Sequence, residues 1–120
     1  MVPAGSPPTA DTVRSPGVDA GDYLYVSGQG PRRPDGSVPS TPDGQVRQAL
    51  DSVRTIVEAA GLTLDHVVYV QVYLTDAARF PQMNVIYTGY FKDPRPTRTT
   101  VVVAKLVGPG NIEITVTARK

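Results

Sequence analysis

The strongest constraint on the fold of this sequence is a long amphipathic helix pattern that is followed closely by a strand pattern. Apolar side chains recur at steps of three and four residues and therefore share one helical face: Val46, Leu50, Val53, Val57 and Ala60. From 67 to 74 every even position is apolar, and the odd positions carry apolar or amphipathic rather than charged side chains. Such a strand needs cover on its apolar face, and we expect some cover on the other face too. Together the two patterns predict helices packed on one face of a sheet.

The rest of the chain predicts four more strands and a second helix. Asp43 is a candidate N-cap for the first helix, and Gly61 suits its left-handed end. The other predicted segments are a strand at Thr12–Val18, a strand at Tyr23–Ser27, an exposed loop at 30–42, a helical stripe from Phe80 to Phe91 with Pro81 in its first turn, and strands at Thr99–Leu106 and Ile112–Ala118. We therefore predict an α+β fold of order β-β-α-β-α-β-β. Residues 12–120 form this single domain, and residues 1–11 form a flexible, proline-rich arm.

Composition excludes several kinds of chemistry. The sequence has no cysteine and a single histidine, His66, which removes disulfides, thiolate nucleophiles and cysteine zinc sites and predicts no metal site. The formal net charge of +1 gives no bulk electrostatic basis for binding nucleic acid. Apolar runs are too short for a transmembrane helix, and the first residues lack the basic and apolar regions of a signal peptide. We expect a cytoplasmic protein without a membrane or nucleic-acid partner.

The second face of the predicted sheet favours self-association. With both helices on one face, the other face still carries Tyr69, Tyr73, Val101 and Val103. Leaving these side chains in water would give an apolar patch larger than monomers usually show. A second copy of the chain is the simplest cover, and a two-fold dimer is the general expectation.

Two charged residues near the last two strands are candidates for chemistry. Arg98 stands at a strand entrance, where its planar guanidinium could hold a carboxylate through two hydrogen bonds. It could equally be a surface arginine that pairs with a neighbouring acid. Glu113 lies at the middle of the closing strand, where it either faces water or lies in an interface beside a cation. It could hold or activate a water molecule. The pattern alone favours the surface role for both residues.

Three further positions are weaker candidates. The segment Ser27–Gly30 ends a strand with small residues that let backbone amides approach a ligand, although a plain turn explains it as well. Asn84 lies one turn from Phe80 and Tyr87 on a mostly apolar face, so its amide needs a partner in a pocket or in a local hydrogen bond. His66 precedes a strand in a polar loop, and we interpret it as structural or exposed.

Taken in register, six segments of the sequence resemble the reactive intermediate deaminase (Rid, also called YjgF-like) family. They are Tyr25-Val-Ser-Gly-Gln, the helix from Gln45 to Gly61, Tyr73-Leu-Thr-Asp, Phe80 to Phe91, Pro96-Thr-Arg-Thr-Thr-Val and Ile112-Glu-Ile. Each segment alone is a weak signal. Their shared order and spacing, from about residue 21 to residue 118, carry the resemblance.

The resemblance implies a fold, an assembly and an activity. The fold is chorismate-mutase-like, with two helices on one face of a mixed sheet, and three copies form a homotrimer whose sheets make a central barrel. This homotrimer replaces the general expectation of a dimer. Ligand sites lie in clefts between adjacent subunits. Active members hydrolyse small enamine and imine acids, such as 2-aminoacrylate and its tautomer 2-iminopropanoate, to 2-oxo acids and ammonia without a cofactor.

The resemblance also implies roles for individual residues. Arg98 matches the arginine that binds the substrate carboxylate, and Glu113 matches the glutamate that positions the attacking water. Further substrate-binding positions are Ser27, Gly28 and Asn84, together with Thr100, which stands where many relatives have cysteine. Arg14 stands where many members have a tyrosine that helps to hold the substrate. A second cation there could meet an additional acidic group or face solvent.

Three hypotheses for the function follow. The first is a hydrolytic deaminase of small enamine and imine acids. The second, motivated by Arg14, is a tailoring enzyme of a specialised pathway that acts on another imine, enamine or related intermediate. The third is a non-catalytic module that binds a small acid or acts as a chaperone. Ribonuclease activity, which the family also includes, has little support in a net charge of +1 without a basic and aromatic patch.

Overall fold

The computed structural model describes residues 14–120. Its strands and helices are β1 (Gly17–Ala20), β2 (Tyr23–Gln29), α1 (Pro42–Ala59), β3 (Val67–Leu74), α2 (Phe80–Tyr90), β4 (Thr97–Val102) and β5 (Ile112–Arg119). Two short 3-10 turns, Leu64–His66 and Ala77–Arg79, lead into β3 and α2. The predicted order β-β-α-β-α-β-β is confirmed. The predicted arm of residues 1–11 and its boundary with the domain lie outside the described residues.

Both helices pack on one face of a single mixed sheet. The strand order is β1-β2-β5-β3-β4. β3 and β4 pair in parallel across the α2 crossover, whereas the other neighbouring strands are antiparallel. Alternate strand residues are buried beneath the helices: Leu24, Val26, Val70, Val72, Leu74, Ile112, Ile114, Val116 and Ala118. They share one core with the buried faces of α1 and α2. The predicted α+β architecture, with two helices on one face of a mixed sheet, is confirmed.

The first helix begins earlier than predicted because of its cap. α1 starts at Pro42, so Thr41 rather than Asp43 is the N-cap, and the Thr41 side chain accepts a hydrogen bond from the Gly44 N–H at 3.0 Å. Asp43 instead lies in the first turn, where its negative charge interacts favourably with the positive end of the helix dipole. Gly61 has a φ of 80° and ends the helix in the left-handed region, as predicted. Neither helix in residues 14–120 is long and apolar enough to span a bilayer.

Several strand boundaries also differ from the prediction. β1 begins only at Gly17, because Pro16 has no N–H to donate to a ladder. β4 ends at Val102 rather than at Leu106, because its partner β3 ends at Leu74, directly opposite Val102. The chain beyond Val102 therefore becomes a loop, which later contributes to the candidate site.

The sheet face turned away from the helices is exposed in the protomer, and we call it the open face. Its side chains alternate with those of the core: Tyr23, Tyr25, Tyr69, Gln71, Tyr73, Thr99, Val101, Glu113, Thr115 and Thr117. Tyr25 is 51% exposed and Val101 is 41% exposed. A sheet face with this many aromatic and β-branched side chains in water favours association. The homotrimer itself stays a prediction.

Candidate active site

Arg98 lies within β4 and points toward the helices. The strand begins at Thr97, two residues earlier than predicted, so Arg98 belongs to the ladder rather than to a loop entrance. It pairs with Val70 of β3, which is buried under the helices, and paired residues share one face of a sheet. Thr100, two residues further along β4, takes the same face. Because β4 is an edge strand, a neighbouring molecule can approach these side chains from the side.

Two aromatic rings of α2 hold the Arg98 guanidinium. Its central carbon lies 4.6 Å from the centroid of the Tyr87 ring and 5.5 Å from the centroid of the Phe80 ring. Guanidinium groups bind aromatic faces in this way. Arg98 makes no ion pair with any acid of residues 14–120. The rings therefore fix the position of the cation and leave N–H donors at its rim for an external acceptor.

Asn84 shares a stripe of α2 with the two rings. Phe80, Asn84 and Tyr87 follow at steps of four and three residues and so lie on one helical face. The Asn84 Oδ1 and the Tyr87 hydroxyl are buried, and neither has a hydrogen-bond partner in the described part of the chain. Burial raises the pKa of Tyr87, and the charges of Arg98 and Arg95 oppose that rise. Buried polar atoms without partners, on the helical face that packs against a guanidinium, indicate a place for a polar ligand or water.

Glu113 lies on the open face, near the start of β5 rather than at its middle. It pairs with Tyr73 of β3. Between Val26 and Gln29 the register of β2 shifts by one residue, so a bulge faces the start of β5. A Cβ added to Gly28 in this bulge would lie 2.7 Å from Glu113 Oε2. The absence of a side chain at Gly28 is thus what gives the carboxylate its place.

Ser27 fixes the segment that carries Arg14. The Ser27 hydroxyl donates to the Ser15 carbonyl at 2.7 Å, and its backbone N–H donates to the Pro16 carbonyl at 2.8 Å. The hydroxyl proton is therefore already used in a hydrogen bond to the backbone. Both bonds hold the segment against β2, and Arg14 lines the same groove as Glu113.

This groove is open and has a volume of about 1030 Å³. Its walls are residues 28–36, at the end of β2 and in the loop that follows it, and residues 106–109, between β4 and β5. Gln45 of α1 ties the two loops together. Its Nε2 donates to the Pro39 carbonyl at 3.1 Å, and its Oε1 accepts from the Asn111 N–H at 2.9 Å. The loop predicted only as exposed chain is thus one wall of the groove.

The predicted site residues form two separate groups within one protomer. The arginine half-site comprises Arg98, Thr100, Phe80, Asn84 and Tyr87, and the glutamate half-site comprises Glu113, Gly28, Ser27 and Arg14. Arg98 pairs with Val70 on one side of β3, and Glu113 pairs with Tyr73 on the other. This register separates their Cα atoms by about 10 Å along the strands and about 10 Å across them. The side chains also take opposite faces of the sheet, so one protomer does not bring them to the same small acid.

His66 has the structural role that the sequence indicates. Its Nδ1 accepts a hydrogen bond from the Thr63 N–H at 3.1 Å and completes a capping box around the 3-10 turn before β3. Across residues 14–120, no three His, Asp or Glu side chains are grouped as metal ligands.

Comparison with known proteins decides the family. The family model described as Endoribonuclease L-PSP matches residues 6–120, nearly the whole chain. The chain belongs to the Rid family. The resemblance of the six sequence segments is therefore confirmed.

Individual members of the Rid family match this chain along most of its length. The chain is 40% identical over 102 residues to a 2-iminobutanoate/2-iminopropanoate deaminase of Escherichia coli, a match that covers 82% of this chain and 80% of that protein. RidA from an Antarctic Psychrobacter is 32% identical and has a TM-score of 0.88. The match covers 94% of this chain and 93% of RidA. Escherichia coli TdcF with bound serine has a TM-score of 0.84 at 35% identity, with coverages of 89% and 87%.

Sequence reasoning missed two parts of this Rid-family site. Phe80 and Tyr87 were assigned only to the apolar stripe of a helix, although the structure places both rings against Arg98. The available signal was the polar Asn84 between them on the same face. The second omission is the wall formed by 106–109, which follows from the early end of β4 and had no signal in the periodicity.

Proposed function

We propose that this protein is a hydrolytic deaminase of small enamine and imine acids of the 2-aminoacrylate and 2-iminopropanoate type. The observation that carries the proposal is the Arg98 guanidinium, which two aromatic rings hold while it makes no ion pair with an acid of residues 14–120. A cation fixed in this manner is suited to hold a carboxylate supplied from outside. The E. coli relative at 40% identity, a 2-iminobutanoate/2-iminopropanoate deaminase, supports the same reaction. The serine bound in the TdcF structure supports a small ligand that bears a carboxylate.

The proposed site is completed by a second copy of the chain. The arginine half-site of one protomer would meet the glutamate half-site of its neighbour across the open faces and the β4 edge. The separation of the two half-sites on opposite faces of one sheet supports this assembly, and so does the exposed open face. We take the assembly to be the homotrimer that the resemblance implies. The proposal includes a cytoplasmic location and a reaction without a cofactor.

The chemistry follows from the roles of the two charged side chains. Arg98 holds the substrate carboxylate and so fixes the adjacent C=N carbon, while Glu113 holds a water molecule against that carbon. An enamine substrate first takes a proton at C3 to become the imine. The protonated imine then adds the water oxygen at carbon, and one water proton passes through Glu113 to nitrogen. The remaining hydroxyl loses its proton as the C–N bond breaks, so that C=NH₂⁺ and H₂O become C=O and NH₄⁺.

A direct assay tests the proposal. 2-Aminoacrylate generated in situ by a desaturating or dehydrating enzyme decays without assistance, and the protein is expected to increase the rate of 2-oxo acid and ammonia release in proportion to its concentration. Arg98→Ala is expected to lower kcat/KM at least about a hundredfold, because removal of one partner of a hydrogen-bonded charge pair costs several kcal/mol. Wild-type rates in that variant would contradict the role of Arg98. Saturable binding of 2-oxo acids without turnover of any imine would instead favour a non-catalytic acid-binding module.

A second variant tests the packing of Glu113. Gly28→Ala is expected to lower kcat at least about tenfold with little change in Tm, because the new methyl group displaces the tip of a flexible carboxylate rather than the backbone. Gly108→Ala is the matched control, since it lines the same groove and its added Cβ meets no atom within 4 Å. Steady-state rates and thermal unfolding of the two variants are compared. Equal turnover in both would show that Gly28 does not position the carboxylate.

A further inference from the structure

We propose that Arg14 makes this site selective for dicarboxylic imino acids, with Arg98 holding the carboxylate next to the imine and Arg14 holding the distal one. The substrate class is then the imines of four- and five-carbon acidic amino acids, and the products are dicarboxylic 2-oxo acids. This inference rests on the proposed function, because it assigns the second end of the same substrate.

Arg14 is built into the glutamate half-site. It lines the groove together with Gly28 and Glu113. The backbone that follows Arg14 is held against β2, because the Ser27 hydroxyl and N–H donate to the carbonyls of Ser15 and Pro16. Arg14 and Glu113 form no ion pair with each other, although both face the groove. The groove therefore presents a carboxylate for water and a cation for an anion at separate points.

Two other arginines line the groove, but their guanidinium groups are used locally. Arg32 donates to the Gly36 carbonyl at 3.3 Å, and Arg33 donates to the Ser37 hydroxyl at 3.0 Å. Both bonds lie within the turn of the loop that forms the groove wall. Arg14 makes no such bond to any residue of 14–120. Among these three cations of the groove, Arg14 is thus the one without a side-chain hydrogen bond to another residue of 14–120.

The charge of Arg14 decides which substrate it can accept. An alkyl imine would bring an uncharged side chain against a guanidinium that must lose part of its hydration, which costs free energy without a compensating partner. A distal carboxylate supplies that partner and can bond the guanidinium through two N–H groups. The groove has room for such a side chain because it is open and has a volume of about 1030 Å³.

The experiment compares imines of equal length with and without the second carboxylate. An amino-acid oxidase generates 2-iminoglutarate or 2-iminopentanoate in situ, and the 2-oxo acid formed in competition with semicarbazide trapping gives kcat/KM for each. The wild-type protein is expected to prefer 2-iminoglutarate by about tenfold, the usual effect of one charge-assisted contact. Arg14→Gln is expected to remove the preference, mainly by lowering kcat/KM for 2-iminoglutarate. Arg33→Gln, which removes the same charge from the same groove, is expected to keep it.

The outcomes separate this inference from the proposed function. Hydrolysis of both imines with no preference, or equal losses in the Arg14 and Arg33 variants, would overturn the role of Arg14 and leave the deaminase intact. Hydrolysis of neither imine would also overturn the role of Arg14 if the decay of 2-aminoacrylate is still accelerated, whereas failure on all three substrates would overturn the deaminase. Calorimetry with 2-oxoglutarate and 2-oxopentanoate provides an independent readout of the same contact. Tighter binding of 2-oxoglutarate that is lost in Arg14→Gln supports the inference, and equal binding of the two acids contradicts it.

Discussion

Co-expression of the Arg98→Ala and Glu113→Gln variants, each nearly inactive alone, is expected to restore about a quarter of the wild-type activity. The reason is that the two side chains take opposite faces of one sheet, so each proposed site combines Arg98 of one protomer with Glu113 of another. In a random mixture, about half of the protomers retain Arg98 and about half retain Glu113. About one in four of the sites between two protomers then contains both native side chains, whether the assembly is a trimer or a dimer.

The measurement uses two affinity tags, one on each variant, so that only mixed assemblies are purified and assayed. In these selected assemblies the restored activity is expected to rise to about a third of the wild-type value for a trimer, or about a half for a dimer. Each variant alone is expected to lose at least about a hundredfold in kcat/KM, Arg98→Ala through carboxylate binding and Glu113→Gln through proton transfer. A double variant carrying both changes, co-expressed with the wild type, is the control for subunit mixing. Mixed assemblies that stay as inactive as the separate variants would contradict a shared site. Such a result would require both groups to act within one protomer.

The sequence predicts the single protomer far better than it predicts the arrangement of the site. The strand 67–74 is found as predicted because its alternation of apolar positions is a local property. The face that Arg98 takes is not local, since it depends on the parallel pairing of Arg98 with Val70, which lies 28 residues away in β3. The bulge that sets Gly28 against Glu113 likewise appears only when β2 meets β5. The apolar periodicity of a single segment does not indicate how that segment pairs with a distant strand.

The roles of the site residues were predicted from a different source than the fold was. From the residues alone, Arg98 and Glu113 were no more than a surface arginine and a solvated glutamate. The resemblance to the Rid family singled them out, and membership of that family is now established by a match over residues 6–120. What the structure adds is the physical means by which each is held. Two rings fix Arg98, and a glycine in a bulge leaves space for Glu113.

Thr117→Glu is expected to dissociate the assembly and abolish activity while the protomer stays folded. Thr117 lies on the open face of β5, the middle strand of the sheet, opposite Tyr25 of β2 and Tyr69 of β3. In an isolated protomer the new carboxylate faces water and costs little. In the assembly it would be buried once in every protomer, and the loss of its hydration costs several kcal/mol each time and weakens association by more than about a thousandfold.

Light scattering gives the mass of the variant in solution, and circular dichroism with thermal unfolding shows whether the protomer keeps its fold. Thr117→Val, which keeps the shape without the charge, is expected to assemble and turn over substrate like the wild type. Thr55→Glu is the matched charge control, since Thr55 is exposed on α1, on the helical side of the sheet. An assembly that survives Thr117→Glu would show that the open face is not the interface. A folded, fully active monomer would contradict the shared site, because Arg98 of one protomer can meet Glu113 of another only where two copies are in contact. The whole reaction would then take place inside one protomer.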